Sequence, residues 1–259
     1  MWHFVESGSG RPIVLLHGIG MSHVVWDPIV PTLARARRVI AFDVAGFGRT
    51  PPLPDGITPT VPHLVDALEQ SLRDLRLDLP VDIAGNSLGG LMAIEAARRG
   101  LARTVVAISP PGLWVQAPWH VAHVFRLLRL LVTRSPGLVR SVVARPILRE
   151  VAFAIPISTG TGRMPVADAL QVVEDLADAS VFEQTFVHTS SAYEVRDIAV
   201  PITVAFGARD WLLTKGARRQ AALPPHTRWL EPRAWGHVPM WTDPAGVAAL
   251  ILEGSECAP

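Results

Sequence analysis

The sequence predicts an α/β fold, a mostly parallel twisted sheet with helices on both faces, interrupted by an inserted helical lid. Three observations carry that expectation. From Trp2 to Ser109 short apolar runs of strand length alternate with longer helical stretches, the rhythm of strands joined by crossover helices. Between Pro110 and about Arg196 the rhythm stops, leaving only helical patterns punctuated by proline. It resumes at Ile202 and ends in a C-terminal helical stretch. A core is therefore expected in two pieces, residues 1–110 and 197–259, with the lid in residues 111–196.

In chain order, Trp2 to Val5 and Pro12 to His17 read as strands, followed by a helix near Asp27 to Arg35, a strand from Val39 to Asp43 and a helix near Pro62 to Leu75. Val81 to Ala84 is a further strand, Leu88 to Arg99 an alanine-rich helix, and Thr104 to Ser109 the strand that ends the first part of the core. Pro118, Ser135-Pro136, Pro146, Pro156, the Ser158 to Gly162 loop and Pro165 divide the lid into helices. In its first helix Val121, Val124, Phe125, Leu128 and Val132 recur at helical spacing, yet Ala122, Leu127, Leu130 and Leu131 make the other side apolar too. A well-buried helix is the expectation; a face lining a substrate cavity or meeting lipid is the alternative. Ile202 to Phe206 is the next strand, and a short β-like piece spans Thr227 to Leu230. Asp243-Pro244 supplies an N-cap and a first-turn proline for the last helix.

Composition bounds the function. At 259 residues, 49% hydrophobic and 18% charged, the chain can bury one large core, which excludes general disorder. A net charge of +1 without a basic run gives no reason to expect a nucleic-acid partner. Arg126, Arg129, Arg134, Arg140, Arg145 and Arg149 cluster in the lid, balanced later by Asp168, Glu174, Asp175, Asp178 and Glu183. A solvated lid edge explains them better than a membrane-binding face. No apolar span is long enough to cross a bilayer, and Met1 to Glu6 lack the features of a signal peptide, so a cytoplasmic location is expected. Cys257 is single and sits in a polar tail, where it forms no internal disulfide. No His, Asp or Glu pair has ligand spacing beside a catalytic element, and Gly46-Phe47-Gly48 lacks what a phosphate loop needs. No metal or cofactor is expected, and no oligomeric state is encoded legibly.

The chemistry concentrates at a few turns. Gly85-Asn86-Ser87-Leu88-Gly89 is a G-x-S-x-G sequence directly between a strand and a helix. Such a tight turn exposes the serine hydroxyl, and its glycines are required because a Cβ would strike neighbouring backbone. His17-Gly18-Ile19-Gly20 follows a buried strand and can turn backbone N–H groups inward. Asp210 stands where the Ile202 strand exits through Gly207-Ala208-Arg209. His237 lies on the loop Trp235-Gly236-His237-Val238-Pro239, whereas His17, His23, His63, His120, His123, His188 and His226 have no matching late-loop position.

The order Ser87, Asp210, His237 resembles that of the α/β-hydrolases of the single-domain esterase, lipase and epoxide-hydrolase-like type, close to the meta-cleavage-product hydrolases. Asp43 to Thr50 is similar to their D-x-x-G-x-G-x-S turn with threonine in place of serine, and Gly236 to Pro244 matches a G-H-x-P-x-x-x-x-P ending. The resemblance implies Ser87 as nucleophile, His237 as base and Asp210 as its orienting acid, with the backbone N–H groups of Ile19 and Leu88 as oxyanion hole and His17 and Gly18 as supporting loop. It gives Asp43 a supporting role beneath the site. The strand before the lid ends in Ser109-Pro110-Pro111 and offers no alternative acid.

A serine nucleophile argues against the haloalkane dehalogenase and epoxide hydrolase reactions, which use aspartate in similar proteins. Meta-cleavage-product C–C hydrolases share the G-N-S-x-G-G turn, Asn86 included, but tend to carry tryptophan after the catalytic histidine, where this chain has Val238. Hydrolysis of a carboxylic ester with a hydrophobic acyl or aromatic group therefore ranks first. C–C hydrolysis follows, then perhydrolase or haloperoxidase-like activity, then a non-catalytic ligand-binding role. Trp26, Trp114, Trp211 and Trp241 lie near the motifs and fit a small hydrophobic substrate.

Overall fold

In the computed structural model, which describes residues 1–256, the sheet is built around β4 (Val81–Asn86), buried along its whole length. Its neighbours are β1 (Phe4–Ser7), β2 (Pro12–Leu16), β3 (Arg38–Phe42), β5 (Ala102–Ile108), β6 (Ile202–Ala205) and β7 (Arg228–Leu230), in the order β1-β3-β2-β4-β5-β6-β7. Every adjacent pair runs parallel except β1 and β3, whose register sets Phe4 against Phe42. The first strand lies two residues later than expected, and Trp2 instead packs edge-on against Phe42 with ring centroids 6.0 Å apart.

Alternate residues of each strand enter opposite faces, as the pleat demands. Val14, Leu16, Ile40, Phe42 and Ile83 join the core under α2 (Val61–Asp74) and α3 (Leu88–Arg98). Ile13, Leu15, Val39, Ala41 and Ala84 join the core under α9 (Pro244–Glu256) and the one-turn α1 (Val30–Leu33). Both faces are covered, which is why these strands read as continuous apolar runs. The helix expected over Asp27 to Arg35 is reduced to a 3₁₀ turn, His23–Trp26, and α1, because Pro28 and Pro31 remove N–H donors. Thr60 caps α2 by accepting the His63 N–H at 3.3 Å.

The end of β4 remote from Ser87 carries a buried charge. Asp82 is held by Arg37 and Arg103, by Arg11 at 3.3 Å and by the Thr104 hydroxyl at 2.7 Å. The same arginines reach α9: Arg11 and Arg103 donate to the Ser255 carbonyl and Arg37 to its hydroxyl. Cys257 lies outside the described residues.

Between β5 and β6 the chain forms α4 (Trp119–Arg134), α5 (Pro136–Val143), α6 (Pro146–Phe153), α7 (Val166–Asp178) and α8 (Phe182–Thr189). Prolines stand in the first turns of α5 and α6, where a missing N–H costs nothing. Two sequence expectations change here. In α4 only Val121 and Val132 are buried, while Leu127, Leu130 and Leu131 are exposed, so it is not a fully buried helix. The arginines are not simply a solvated edge either. Arg149 is buried and donates to the carbonyls of Val143, Thr161 and Gly162. Arg129 holds the carbonyls of Leu176 and Ala179, and Arg140 pairs with Glu174. None of the described helices is long and apolar enough to cross a membrane.

Candidate active site

Ser87 occupies the turn from β4 into α3 with φ 52° and ψ −121°, a backbone region that L-residues adopt only under constraint. The constraint is the crossing of three segments. A Cβ on Gly85 would lie 2.1 Å from the Gly89 carbonyl oxygen, and one on Gly89 would lie 2.0 Å from that of Leu16. The Ser87 N–H donates to the Ile108 carbonyl at 2.8 Å, tying the turn to the end of β5.

Asp210 and His237 come from loops after β6 and β7 and are both buried. His237 Nδ1 and Asp210 Oδ2 are 3.0 Å apart, while Asp210 Oδ1 accepts the N–H groups of Leu212 at 3.0 Å and Leu213 at 2.8 Å. Burial opposes ionisation of Asp210, but His237 and the Leu213 N–H outweigh it and hold the carboxyl below its ordinary value. An ionised Asp210 can only accept, so His237 Nδ1 is the donor between them. The two loops pass so closely that a Cβ on Gly207 would lie 2.2 Å from the Trp235 carbonyl.

Ser87 and His237 line one cavity of about 50 Å³, and both line a neighbouring one of about 40 Å³ together with Ile19 and Leu88. The five residues expected to act together thus meet at one place, Asp210 through its bond to His237. Among the described residues Ser87 makes no hydrogen bond to His237; the two share a cavity wall. Leu88 opens α3, so its N–H has no intrahelical acceptor.

The loop carrying Ile19 is fixed by His17. Burial pushes that imidazole down to about 4, so it is neutral, with Nδ1 2.7 Å from the Gly18 carbonyl and Nε2 accepting the Val44 N–H at 2.9 Å. The same loop is clasped from α7, where Asp175 Oδ2 accepts the Ser22 hydroxyl at 2.5 Å. Burial raises the Asp175 carboxyl above its usual range against the opposing pull of Ser22 and Gln171.

The sequence profile of the family described as alpha/beta hydrolase fold matches residues 11–244. The chain belongs to that family. A 2-hydroxy-6-oxo-6-(2'-aminophenyl)hexa-2,4-dienoic acid hydrolase of Metapseudomonas resinovorans is 35% identical over 118 residues, 44% of this chain and 40% of that protein. A 2-hydroxy-6-oxo-2,4-heptadienoate hydrolase of Pseudomonas putida is 43% identical over 97 residues, 36% of this chain and 34% of that protein. The aligned segments therefore span less than half of these relatives' lengths. Among solved structures, a meta-cleavage product hydrolase from Pseudomonas fluorescens superposes with TM-score 0.73 at 18% identity, covering 99% of this chain and 94% of that one. A carboxylesterase from Bacillus subtilis gives 0.73 at 19% identity, covering 99% and 88%. At these identities the likeness is one of fold.

In this α/β hydrolase Asp43 stands apart from the Ser87 cavity. Its carboxylate accepts the N–H groups of His23 at 2.7 Å and Arg49 at 2.9 Å, and lies 2.9 Å from His3 Nδ1 and 2.8 Å from His23 Nδ1. Burial opposes its charge, yet these donors hold it well below the usual carboxylate range. His3, His23 and Asp43 offer ligand atoms within 4.8 Å of one another, a geometry able to hold a metal ion. Their mutual hydrogen bonds already satisfy the carboxylate, which serves the turn at Gly48, where a Cβ would lie 2.5 Å from it.

Asn86, inside the turn motif, and two residues outside any motif tie these loops together. Asn86 donates to the His237 carbonyl at 2.9 Å and to that of Ile108 at 3.2 Å, linking the Ser87 turn and the histidine loop. Ser158 accepts the Gly236 N–H at 3.0 Å, and the Ile157 carbonyl accepts the Val238 N–H at 2.7 Å. Of the four tryptophans expected near the substrate, only Trp114 lines a cavity beside Ser87. Trp26 is core, Trp211 is half exposed and Trp241 donates to Asp168.

Proposed function

We propose that this α/β hydrolase is a serine carboxylesterase that cleaves esters with a hydrophobic acyl or aromatic group through an acyl-enzyme, with residues 111–196 as its lid. The carrying observation is His237, held from behind by Asp210, in the wall of an apolar cavity that the strained Ser87 turn also lines. The Ser87 hydroxyl attacks the ester carbonyl and passes its proton to His237 Nε2, while Asp210 stabilises the imidazolium. The Ile19 and Leu88 N–H groups receive the oxyanion; losing one such donor costs on the order of 10²-fold or more in turnover. His237 then protonates the departing alcohol, accepts a proton from water as it attacks the acyl-enzyme, and returns it to Ser87.

C–C bond hydrolysis of the meta-cleavage-product type is the second reading, favoured by the curated relatives and by Asn86 in the turn. Those relatives' substrates are named as dienoic acids, whose carboxylate is bound most strongly by lysine or arginine. Neither cavity beside Ser87 is lined by lysine or arginine, which favours the ester. Purified protein assayed on p-nitrophenyl esters and on a 2-hydroxy-6-oxo-dienoate side by side separates the two. Ester turnover with fluorophosphonate labelling that vanishes in Ser87→Ala is the expected result; turnover of the dienoate alone would replace the first reading by the second.

A further inference from the structure

Between α4, α5, α6 and α7 lies a further, part-open chamber of about 200 Å³. No charged or hydrogen-bonding side chain lines it; Val132, Val143, Ala152 and Phe153 are typical of its wall. Leu128, Pro156, Ile157, Val172 and Leu176 line this chamber and also the cavity containing Ser87 and His237. The two spaces are thus back to back across one apolar partition. An apolar void of about 150 Å³ lined by similar side chains stays dry and takes up benzene, so a chamber of this size and lining suits a hydrocarbon rather than water.

On the esterase reading above, and resting on it, the geometry points to this chamber as the binding site for an unbranched hydrocarbon chain of a substrate whose ester group sits at Ser87. The chain passes between Leu128, Val172 and Leu176, whose side chains swing aside, and lies among the lid helices. At its far side the chamber reaches Leu131 and Leu138, which are 41% and 64% exposed. Chains longer than the chamber therefore emerge between α4 and α5 instead of being excluded. Selectivity should rise with length and then level off.

The test is a series of p-nitrophenyl esters from acetate to dodecanoate, a parallel series of n-alkyl acetates, and calorimetric titration of decan-1-ol into Ser87→Ala protein. The first two arms distinguish a chain on the acyl side from one on the alcohol side. In one of them kcat/KM is expected to rise about fourfold per methylene before the plateau, and decan-1-ol is expected to bind. Ala152→Phe and, separately, Val139→Phe fill the chamber away from Ser87. Each should lower the ratio of kcat/KM for the eight-carbon over the two-carbon member at least tenfold in the responding series and abolish decan-1-ol binding, with melting temperature reporting that the variant is folded. Turnover with a flat length profile and no decan-1-ol binding overturns the chamber while leaving the esterase reading intact. Decan-1-ol binding lost in Ala152→Phe, with no turnover of any ester, keeps the chamber and sinks the esterase reading.

Discussion

The strain at Ser87 and the pairing of Asp210 with His237 are properties of single residues, and each has its own measurable consequence. Asp210→Asn keeps the size of the side chain but loses the charge that fixes the histidine's tautomer; in the serine-protease triad the same change costs about 10⁴-fold in turnover. A kcat loss of ~10³- to 10⁴-fold with an unchanged circular dichroism spectrum is expected, and near-wild-type kinetics would assign the histidine another partner. Gly89→Ala tests the backbone crossing. Its Cβ would meet the Leu16 and His17 carbonyls at 2.0 and 2.7 Å, so loss of the folded state is expected. Gly137→Ala is its contrast, because nothing lies within 4 Å of the added methyl in α5. There the substitution should stabilise by about 0.4–1 kcal/mol, read as a higher melting temperature.

At the scale of elements, α3 depends on a buried carboxylate. Glu95 accepts from Arg98 of its own helix, from Arg99 just after it, and from the Tyr193 hydroxyl near the end of the insertion. Burial opposes its ionisation, but Arg98, Tyr193 and Arg99 bring it from the ordinary 4.5 down to about 2. A depressed carboxyl stabilises the fold fully above its unfolded value and progressively less as pH falls from 4.5 toward 2. Denaturant unfolding of Glu95→Gln should therefore be less pH-dependent than wild type across that window; equal slopes would show that Glu95 does not drive the acid limb. Elements were legible where a local pattern determines them: the apolar runs of β2 to β6, the G-x-S-x-G turn and the Asp243-Pro244 helix start. The G-x-S-x-G turn is legible only together with its context, the apolar strand before it and the helix after it. Asn86 as a tether, Ser158 beneath Gly236 and Asp175 on Ser22 were not legible, because each bond joins residues 78 to 153 positions apart. No spacing rule spans such separations. Helix α1 was overestimated because apolar periodicity outvoted two prolines that the backbone cannot ignore.

For the whole molecule, the Asp82 cluster is a mechanical centre. The residues just before β2 and β3 meet β4, β5 and α9 here through Arg11, Arg37, Arg103 and Ser255. Removing one partner of a buried ionic group costs about 3–5 kcal/mol, because the remaining charges lose their compensation. Asp82→Ala should lower chemical stability by about that much, measured by urea unfolding, while leaving the Ser87 end of β4 untouched in fluorophosphonate labelling of the folded fraction. A change within 0.5 kcal/mol, about the effect of an ordinary surface substitution, would show that solvent takes over the arginines.

The bond from Ser158 to Gly236, with the Ile157 carbonyl on the Val238 N–H, makes the inserted segment a partner in holding the imidazole. A Cβ at Gly236 would fall 2.6 Å from the Ser158 Cα, so the two surfaces are cut to fit one another. Replacing the inserted segment by a foreign one should consequently loosen the His237 loop unless the graft brings a hydroxyl and a carbonyl to those same two spots. The insertion and the loop it grips are therefore one mechanical unit, and neither can be exchanged without the other.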